Sequence, residues 1–224
     1  MMEYIVKPLL SWYDEHARIL PWREEISPYR VWVSEIMLQQ TRVEAVKPYF
    51  ERFVKALPDV HALAECPEDE LLKLWEGLGY YNRVRNMQKA ARVVADKYDG
   101  EFPADYKKLL ELPGIGHYTA GAVSSIAFGI CMPAVDGNVL RVLSRLQASY
   151  DDILSQSVKH AFEEELRKII PEDRAGDFNQ ALIEIGAIVC VPNGKAKCGE
   201  CPLSFCCKAK EKGIVDELPR KKAK

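Results

Sequence analysis

Nowhere in this sequence do apolar residues approach the roughly eighteen in a row that a membrane-crossing helix needs. That absence argues against a helical membrane protein. The first residues, Met1 to Pro8, carry no basic segment followed by a long apolar run, so no export signal is expected and the chain reads as cytoplasmic. Strict alternation of apolar and polar residues is scarce too, which argues against strands. There is no internal repeat and no low-complexity tract. Nor is there a charge excess: 31 Lys and Arg against 33 Asp and Glu leave a net charge of −2, so bulk charge does not draw the molecule onto an anionic polymer. The average hides an asymmetry, because nine basic and four acidic residues fall after position 190. A basic end on an acidic body suits a local phosphate contact. Its plain alternative, strongest for Pro219 to Lys224, is a frayed, solvated tail, and the last dozen residues are the one segment expected to be disordered.

What is present is helical. The chain has 224 residues, 48% of them hydrophobic, enough for one large domain or two smaller ones sharing a cleft. Val33, Ile36, Met37 and Gln40 begin one face at helical spacing, and Val43, Val46, Phe50, Phe53 and Leu57 continue another. Pro67, Glu68 and Asp69 suit the first turn of a helix through Leu71, Leu74 and Trp75 that Gly77-Leu78-Gly79 ends. A longer helix through Val84, Met87, Ala91, Val94 and Tyr98 stops at Asp99-Gly100. The fold class is all-α.

Five of the seven cysteines, Cys190, Cys198, Cys201, Cys206 and Cys207, crowd into eighteen residues. Four thiolates suit zinc or an iron-sulfur cluster, and spacing alone leaves both metals open. One cysteine is then redundant. A disulfide framework fits poorly with a long chain, an odd cysteine count and no export signal.

Between two helices lies Leu112-Pro113-Gly114-Ile115-Gly116-His117-Tyr118-Thr119-Ala120-Gly121-Ala122-Val123. Gly114 and Gly116 can take positive φ and let another chain approach, while free amides at the start of the following helix point outward for an anion. An ordinary αα-hairpin is the plainer reading. Two carboxylates stand out. Glu35 sits in the middle of an apolar helical stretch, where partial burial raises the pKa toward that of a useful proton donor, unless the residue simply faces solvent. Asp136 precedes Gly137 and Asn138 at the start of a helix whose buried face is Val139, Val142, Leu143 and Leu146. It could be no more than a cap, though an aspartate held ionised by helix-terminal amides also suits facing a developing cation.

Together the cysteine run, the Pro-Gly turn and the two carboxylates resemble the helix-hairpin-helix DNA glycosylases that carry a [4Fe-4S] cluster, over about Leu10 to Cys207. Leu20-Pro21-Trp22-Arg23, Trp32 to Thr41, Trp75 to Tyr81 and Val135-Asp136-Gly137-Asn138 most resemble the MutY-type adenine DNA glycosylases of the endonuclease III superfamily, in their catalytic region and without the C-terminal Nudix-like domain. The resemblance implies a six-helix domain over 23–130 that contains the hairpin at about 109–125. It also implies a discontinuous iron-sulfur domain from 1–22 and 131–210, an active site in the cleft between the two, and a basic tail over 211–224. It places Glu35 as catalytic acid and Asp136 as catalytic aspartate, with Tyr118 and Asn138 orienting the aspartate and the sugar. Trp22, Arg23, Leu38, Gln40 and Tyr80 would shape the adenine pocket or enter the duplex, and Gly114 and Gly116 would meet DNA. Cys190, Cys198, Cys201 and Cys207 would hold the cluster, because the family's five-residue last gap favours Cys207 over Cys206; the first gap here is seven residues rather than the family's six. The cluster would brace a basic loop around Lys195 and Lys197 against the DNA backbone.

The implied reaction is hydrolysis of the bond to an adenine mispaired with 8-oxoguanine or guanine, by a monomer acting on double-stranded DNA. Tyrosine at position 118, where endonuclease III has a lysine, cannot form a Schiff base and implies a monofunctional enzyme without strong lyase activity. A thymine glycosylase acting on T·G mispairs is the alternative within the superfamily. Beyond it stand a non-catalytic DNA-binding iron-sulfur module and a zinc-stapled helical protein unrelated to DNA.

Overall fold

A computed structural model describes residues 2–192 and 194–221, and among these the chain is helical, with a lone β-bridge between Asp152 and Arg220. No helix among the described residues is long and apolar enough to cross a membrane. The chain divides into two compact units, Ile19–Phe128 and a discontinuous unit of Met1–Arg18 with Gly129–Lys224. Each has its own core.

The continuous unit runs through Pro21–Glu24, Pro28–Leu38, Val43–Ala56, Val60–Glu65, Glu68–Trp75, Asn82–Tyr98, Tyr106–Leu110 and His117–Ala122. Local chemistry sets these starts and stops. Ser27 caps the second helix by accepting from Arg30 N at 3.2 Å, with Pro28 at its first position. Asp59 caps the fourth through Ala62 N at 2.8 Å, and Asp105 caps the seventh through Lys107 N and Lys108 N. Asp99, left-handed at φ 52°, and Gly100 end the long helix where the sequence places its stop. Trp32, Trp75, Phe50 and Phe53 are fully buried at the centre. Truncating any one of them to alanine costs about 3–5 kcal/mol. Gln88, buried beneath them, donates to the carbonyls of Cys66 at 2.6 Å and Leu63 at 3.3 Å, so the long helix ties down the end of Val60–Glu65 without leaving a polar group unpaired.

The discontinuous unit packs Val6–His16 with Gly137–Gln147, Gln156–Arg167, Ala175–Ile188 and the short Lys208–Glu211 around Leu9, Trp12, Leu143, Phe162, Phe178 and Ile185. Glu184 is wholly buried, and Arg18 answers it with two charged hydrogen bonds of 2.7 and 3.0 Å. Removing the arginine would strand a charge in the core, at about 3–5 kcal/mol. The unit takes in the end of the described chain as well. Arg145 Nε donates to the carbonyls of Val215 and Leu218, Leu218 is buried, and Ile153 N donates to Arg220 O at 3.1 Å. The expected frayed tail is therefore anchored as far as Arg220, because a buried arginine needs those carbonyls; residues 222–224 lie outside the described residues.

Candidate active site

Glu35 lies on the Pro28–Leu38 helix and is only 8% exposed. It is not a solvent-facing residue of an amphipathic helix. The segment packed on that helix is rich in small residues, Thr119 to Ala122, all buried, and lets the two backbones come close. Close approach brings the Tyr118 hydroxyl to Glu35 Oε2, to which it donates at 2.6 Å. The segment continues as a π-helical turn over Val123–Ala127, where Ser125 Oγ donates back to Gly121 O at 2.8 Å. Turns of this kind recur near functional sites because they shift the register of a helix by one residue.

The hairpin before it is built as the Pro-Gly pattern requires at one glycine and differently at the other. Gly114 is left-handed at φ 77°, and a Cβ there would stand 2.9 Å from Asn86 Cβ. Gly116 is instead extended, at φ −97° and ψ −179°, with open space around it. It serves as the cap position of His117–Ala122, so what its lack of a side chain provides is access to the amides behind it. His117 is exposed and shares a 2.8 Å hydrogen bond with the Tyr106 hydroxyl.

The residues expected to shape the adenine pocket or enter the duplex differ in exposure. Gln40 and Tyr80 are exposed, and both have left-handed backbones, φ 59° and 48°. Leu38 and Arg23 are half-buried. Trp22 is buried and packs edge-on against Phe50 with centroids 5.4 Å apart. A ring in that position can wall a cavity but cannot enter a duplex.

In the other unit Asp136 is the cap of Gly137–Gln147. Its Oδ1 accepts from Asn138 N and Val139 N, each at 2.8 Å, and its Oδ2 accepts from Asn138 Nδ2 at 2.7 Å. Burial pushes the carboxyl above the ordinary aspartate range, against the opposing pull of Val139 N, the two Asn138 donors and the Arg141 guanidinium. The segment leading to Asp136 is pinned by buried Asn179, which accepts from Ala134 N at 3.0 Å and donates to Met132 O at 2.8 Å. Behind Asn138 stands Arg141, donating to Asn138 Oδ1 at 2.9 Å, Gly186 O at 2.7 Å and Cys190 O at 2.7 Å. Arg145, one turn on, reaches Cys190 Sγ at 3.2 Å. Neither arginine was singled out from the sequence. Their signal is the spacing of Asn138, Arg141 and Arg145, which puts three polar groups on one face of a helix.

None of the seven cysteines forms a disulfide. Cys190, Cys198, Cys201 and Cys207 line one cavity of about 30 Å³ with Lys197, Lys210 and Arg145, whereas Cys206 is not part of its wall and turns its thiol to Leu203 O at 3.3 Å. Among the described residues no three His, Cys, Asp or Glu side chains are gathered as a single metal ion requires; the four thiols surround a shared space. Burial and the neighbouring thiols push Cys201 up to about 12. Lys195 is exposed, Lys197 pairs with Glu200 at 3.8 Å, and Asn193 between this loop and Cys190 lies outside the described residues.

Comparison with known proteins converges on one superfamily. A family model described as "HhH-GPD superfamily base excision DNA repair protein" matches residues 33–171. The chain is 42% identical over 202 residues to a protein named adenine DNA glycosylase from Buchnera aphidicola subsp. Baizongia pistaciae, covering 90% of this chain and 57% of that protein. It is 42% identical over 219 residues to the human protein of the same name, covering 94% and 40%. It thus spans about half the length of the curated relatives it matches. Among solved structures it is similar to a thermostable thymine-DNA glycosylase at TM-score 0.82 and 31% identity, covering 94% of this chain and 96% of that one. It is also similar to endonuclease III in a non-covalent DNA complex at TM-score 0.78 and 28% identity, covering 95% and 96%.

Proposed function

The chain belongs to the HhH-GPD superfamily of base excision DNA repair proteins, and from that footing we propose that it is a monofunctional DNA glycosylase that hydrolyses the N-glycosidic bond of adenine mispaired with 8-oxoguanine or guanine. The observation that carries this reading is the 2.6 Å hydrogen bond from Tyr118 to buried Glu35. It fixes a proton donor beside the hairpin with a phenol, where a Schiff-base enzyme needs an amine.

In the proposed reaction the mispaired nucleotide is rotated out of the duplex. Glu35 delivers its proton to the adenine, which leaves as a neutral base rather than an anion, and the carboxylate then takes a proton from the incoming water. Loss of the base leaves an oxocarbenium-like sugar. Asp136, ionised, stabilises that cation or captures it covalently, in the place of the second carboxyl of a retaining glycosidase. Asn138 holds one oxygen of Asp136 and Tyr118 one oxygen of Glu35. Gln40 and Tyr80 enter the duplex, Leu38 and Arg23 border the adenine, Trp22 backs them from the core, and the turn at Gly114 and Gly116 offers its amides to a phosphate. The enzyme acts as a monomer on double-stranded DNA.

Cys190, Cys198, Cys201 and Cys207 fit a [4Fe-4S] cluster, because four thiols share one cavity rimmed by Lys197, Lys210 and Arg145, whose charges offset an anionic group. Bound there, the cluster supplies a cross-link for the loop of Lys195 and Lys197 rather than a reacting centre. Purified protein should be yellow-brown and contain iron and sulfide. Cys207→Ser should lose both, and Cys206→Ser should keep them.

A second reading, a glycosylase for thymine in T·G mispairs, is favoured by the near full-length match to the thymine-DNA glycosylase structure. Duplexes carrying A opposite 8-oxoguanine, A opposite G, and T opposite G, each treated with enzyme and then hot alkali, separate the two. Cleavage of both adenine duplexes is expected, and cleavage of the T·G duplex alone would replace the adenine reading. Efficient borohydride trapping on DNA would overturn the monofunctional assignment.

A further inference from the structure

We propose that Arg83 is a positioning residue that joins two separate loops into one rigid wedge, so that Gln40 and Tyr80 enter a mispaired duplex as a coupled pair. This deepens the glycosylase reading and rests on it. Arg83 opens the Asn82–Tyr98 helix, and its guanidinium binds both loops at once. Nη1 donates to the carbonyls of Ile36 at 2.9 Å, Met37 at 3.1 Å and Gln39 at 2.6 Å. Nη2 donates to Leu78 O at 3.0 Å and Gly79 O at 3.3 Å, and approaches Thr41 Oγ1 at 3.5 Å. The guanidinium also lies over the rings of Trp75, at 5.3 Å, and Tyr80, at 5.6 Å. Three of these carbonyls come from the end of the Pro28–Leu38 helix, where unpaired acceptors and the helix dipole both favour a cation.

The two residues these loops display share an unusual property. Gln40 and Tyr80 are non-glycine residues with left-handed backbones, and such strain persists only where the surroundings over-determine it. Arg83 binds the carbonyls adjoining each of them, Gln39 before Gln40 and Gly79 before Tyr80. Folding gains little from either side chain, since Gln40 is exposed and Tyr80 is 66% exposed. Two strained, outward-facing side chains fixed by one half-buried fork are built for insertion, and the fork makes the position of each depend on the other. Lysine should substitute poorly, because its three donors radiate from one nitrogen whereas Arg83 reaches the two loops from two nitrogens of a planar fork.

The test is a double-mutant cycle. Gln40→Ala, Tyr80→Ala and the double variant are assayed for the ratio of affinities for mispaired and fully paired duplexes, first with Arg83 present. With the wedge coupled, the double variant should lose about fivefold less discrimination than the product of the single losses. Both side chains are exposed, so these variants fold. The cycle is repeated in Arg83→Lys, or in Arg83→Gln should the lysine variant not show a cooperative melt. There the losses should multiply. Multiplicative losses with Arg83 present would overturn the proposal, as would coupling that survives in a folded Arg83 variant. Loss of stability alone does not alter a coupling factor. A wild-type protein that does not discriminate mispaired from paired DNA would overturn the glycosylase reading and this inference with it. Strong discrimination without coupling would overturn this inference alone.

Discussion

The two carboxyls on which the proposed chemistry rests are held in contrasting ways. Asp136 is gripped by its own helix: two backbone amides and the side chain of the second residue after it converge on its oxygens, and Arg141 braces that side chain. Glu35 sits mid-helix, where backbone amides are already engaged, and accepts from a hydroxyl 83 residues away in sequence. Backbone donors cannot be mutated away, and they favour the ionised form wherever they act. A tyrosine hydroxyl brought in by helix packing can donate to a carboxylate or accept from a carboxylic acid. The first arrangement suits a group that stays an anion beside a cation. The second suits a group that gives up a proton and takes one back.

Removing either carboxyl tests that division most severely. Asp136→Asn and Glu35→Gln should each lower the single-turnover rate of adenine release by about 10³-fold while leaving affinity for the mispaired duplex intact. Equal loss of binding in both would reduce the two groups to scaffold. Tyr118→Phe should lower the rate by about tenfold with unchanged duplex affinity, because the hydrogen bond to Glu35 is lost and nothing else about the ring changes. Asn138→Ala should do less at neutral pH, a few-fold, since two backbone amides still hold Asp136.

Its signature lies in pH. Burial raises Asp136 in the folded protein, so its anion is lost, and the rate falls, as pH drops through a value above the ordinary 3.8. Deleting the Asn138 side-chain donor, which favours the anion, should move this acid limb higher still. Stability runs the other way. A carboxyl raised by folding penalises the folded state when ionised, so that penalty is present at neutral pH and is relieved as pH falls through the raised value toward 3.8. An acid limb unmoved in Asn138→Ala would assign it to another group.

Much of this arrangement was legible because it follows from local chemistry. The caps at Asp136 and Asp99 and the long helix between Asn82 and Tyr98 follow from side chains acting within a few residues of themselves, whereas the burial of Glu35 depends on packing by a segment distant in sequence. The arginines were not legible. Arg83, Arg141 and Arg145 spend most of their donors on carbonyls, which leave no trace in sequence, and the spacing of Asn138, Arg141 and Arg145 shows a shared helix face but not what that face meets. The anchored tail was missed for the same reason, since its partner is Arg145.

The smallest effects separate two glycines that the sequence motif treats alike. Gly114 holds a left-handed turn against Asn86, so Gly114→Ala should cost about 1 kcal/mol or more in stability, read from denaturant unfolding. Gly116 has an extended backbone that any residue can adopt and open space around it, so Gly116→Ala should stay within about 0.5 kcal/mol of the parent. Duplex affinity should invert that ranking in proportion to the stability change, because the methyl at position 116 stands over the amides that a phosphate must reach. Gly116→Ala should bind the mispaired duplex a few-fold more weakly with the slope of its salt dependence unchanged, because a neutral amide releases no counterion. Unchanged duplex affinity in Gly116→Ala would remove the anion site from the hairpin and leave it as a device for setting Tyr118 against Glu35.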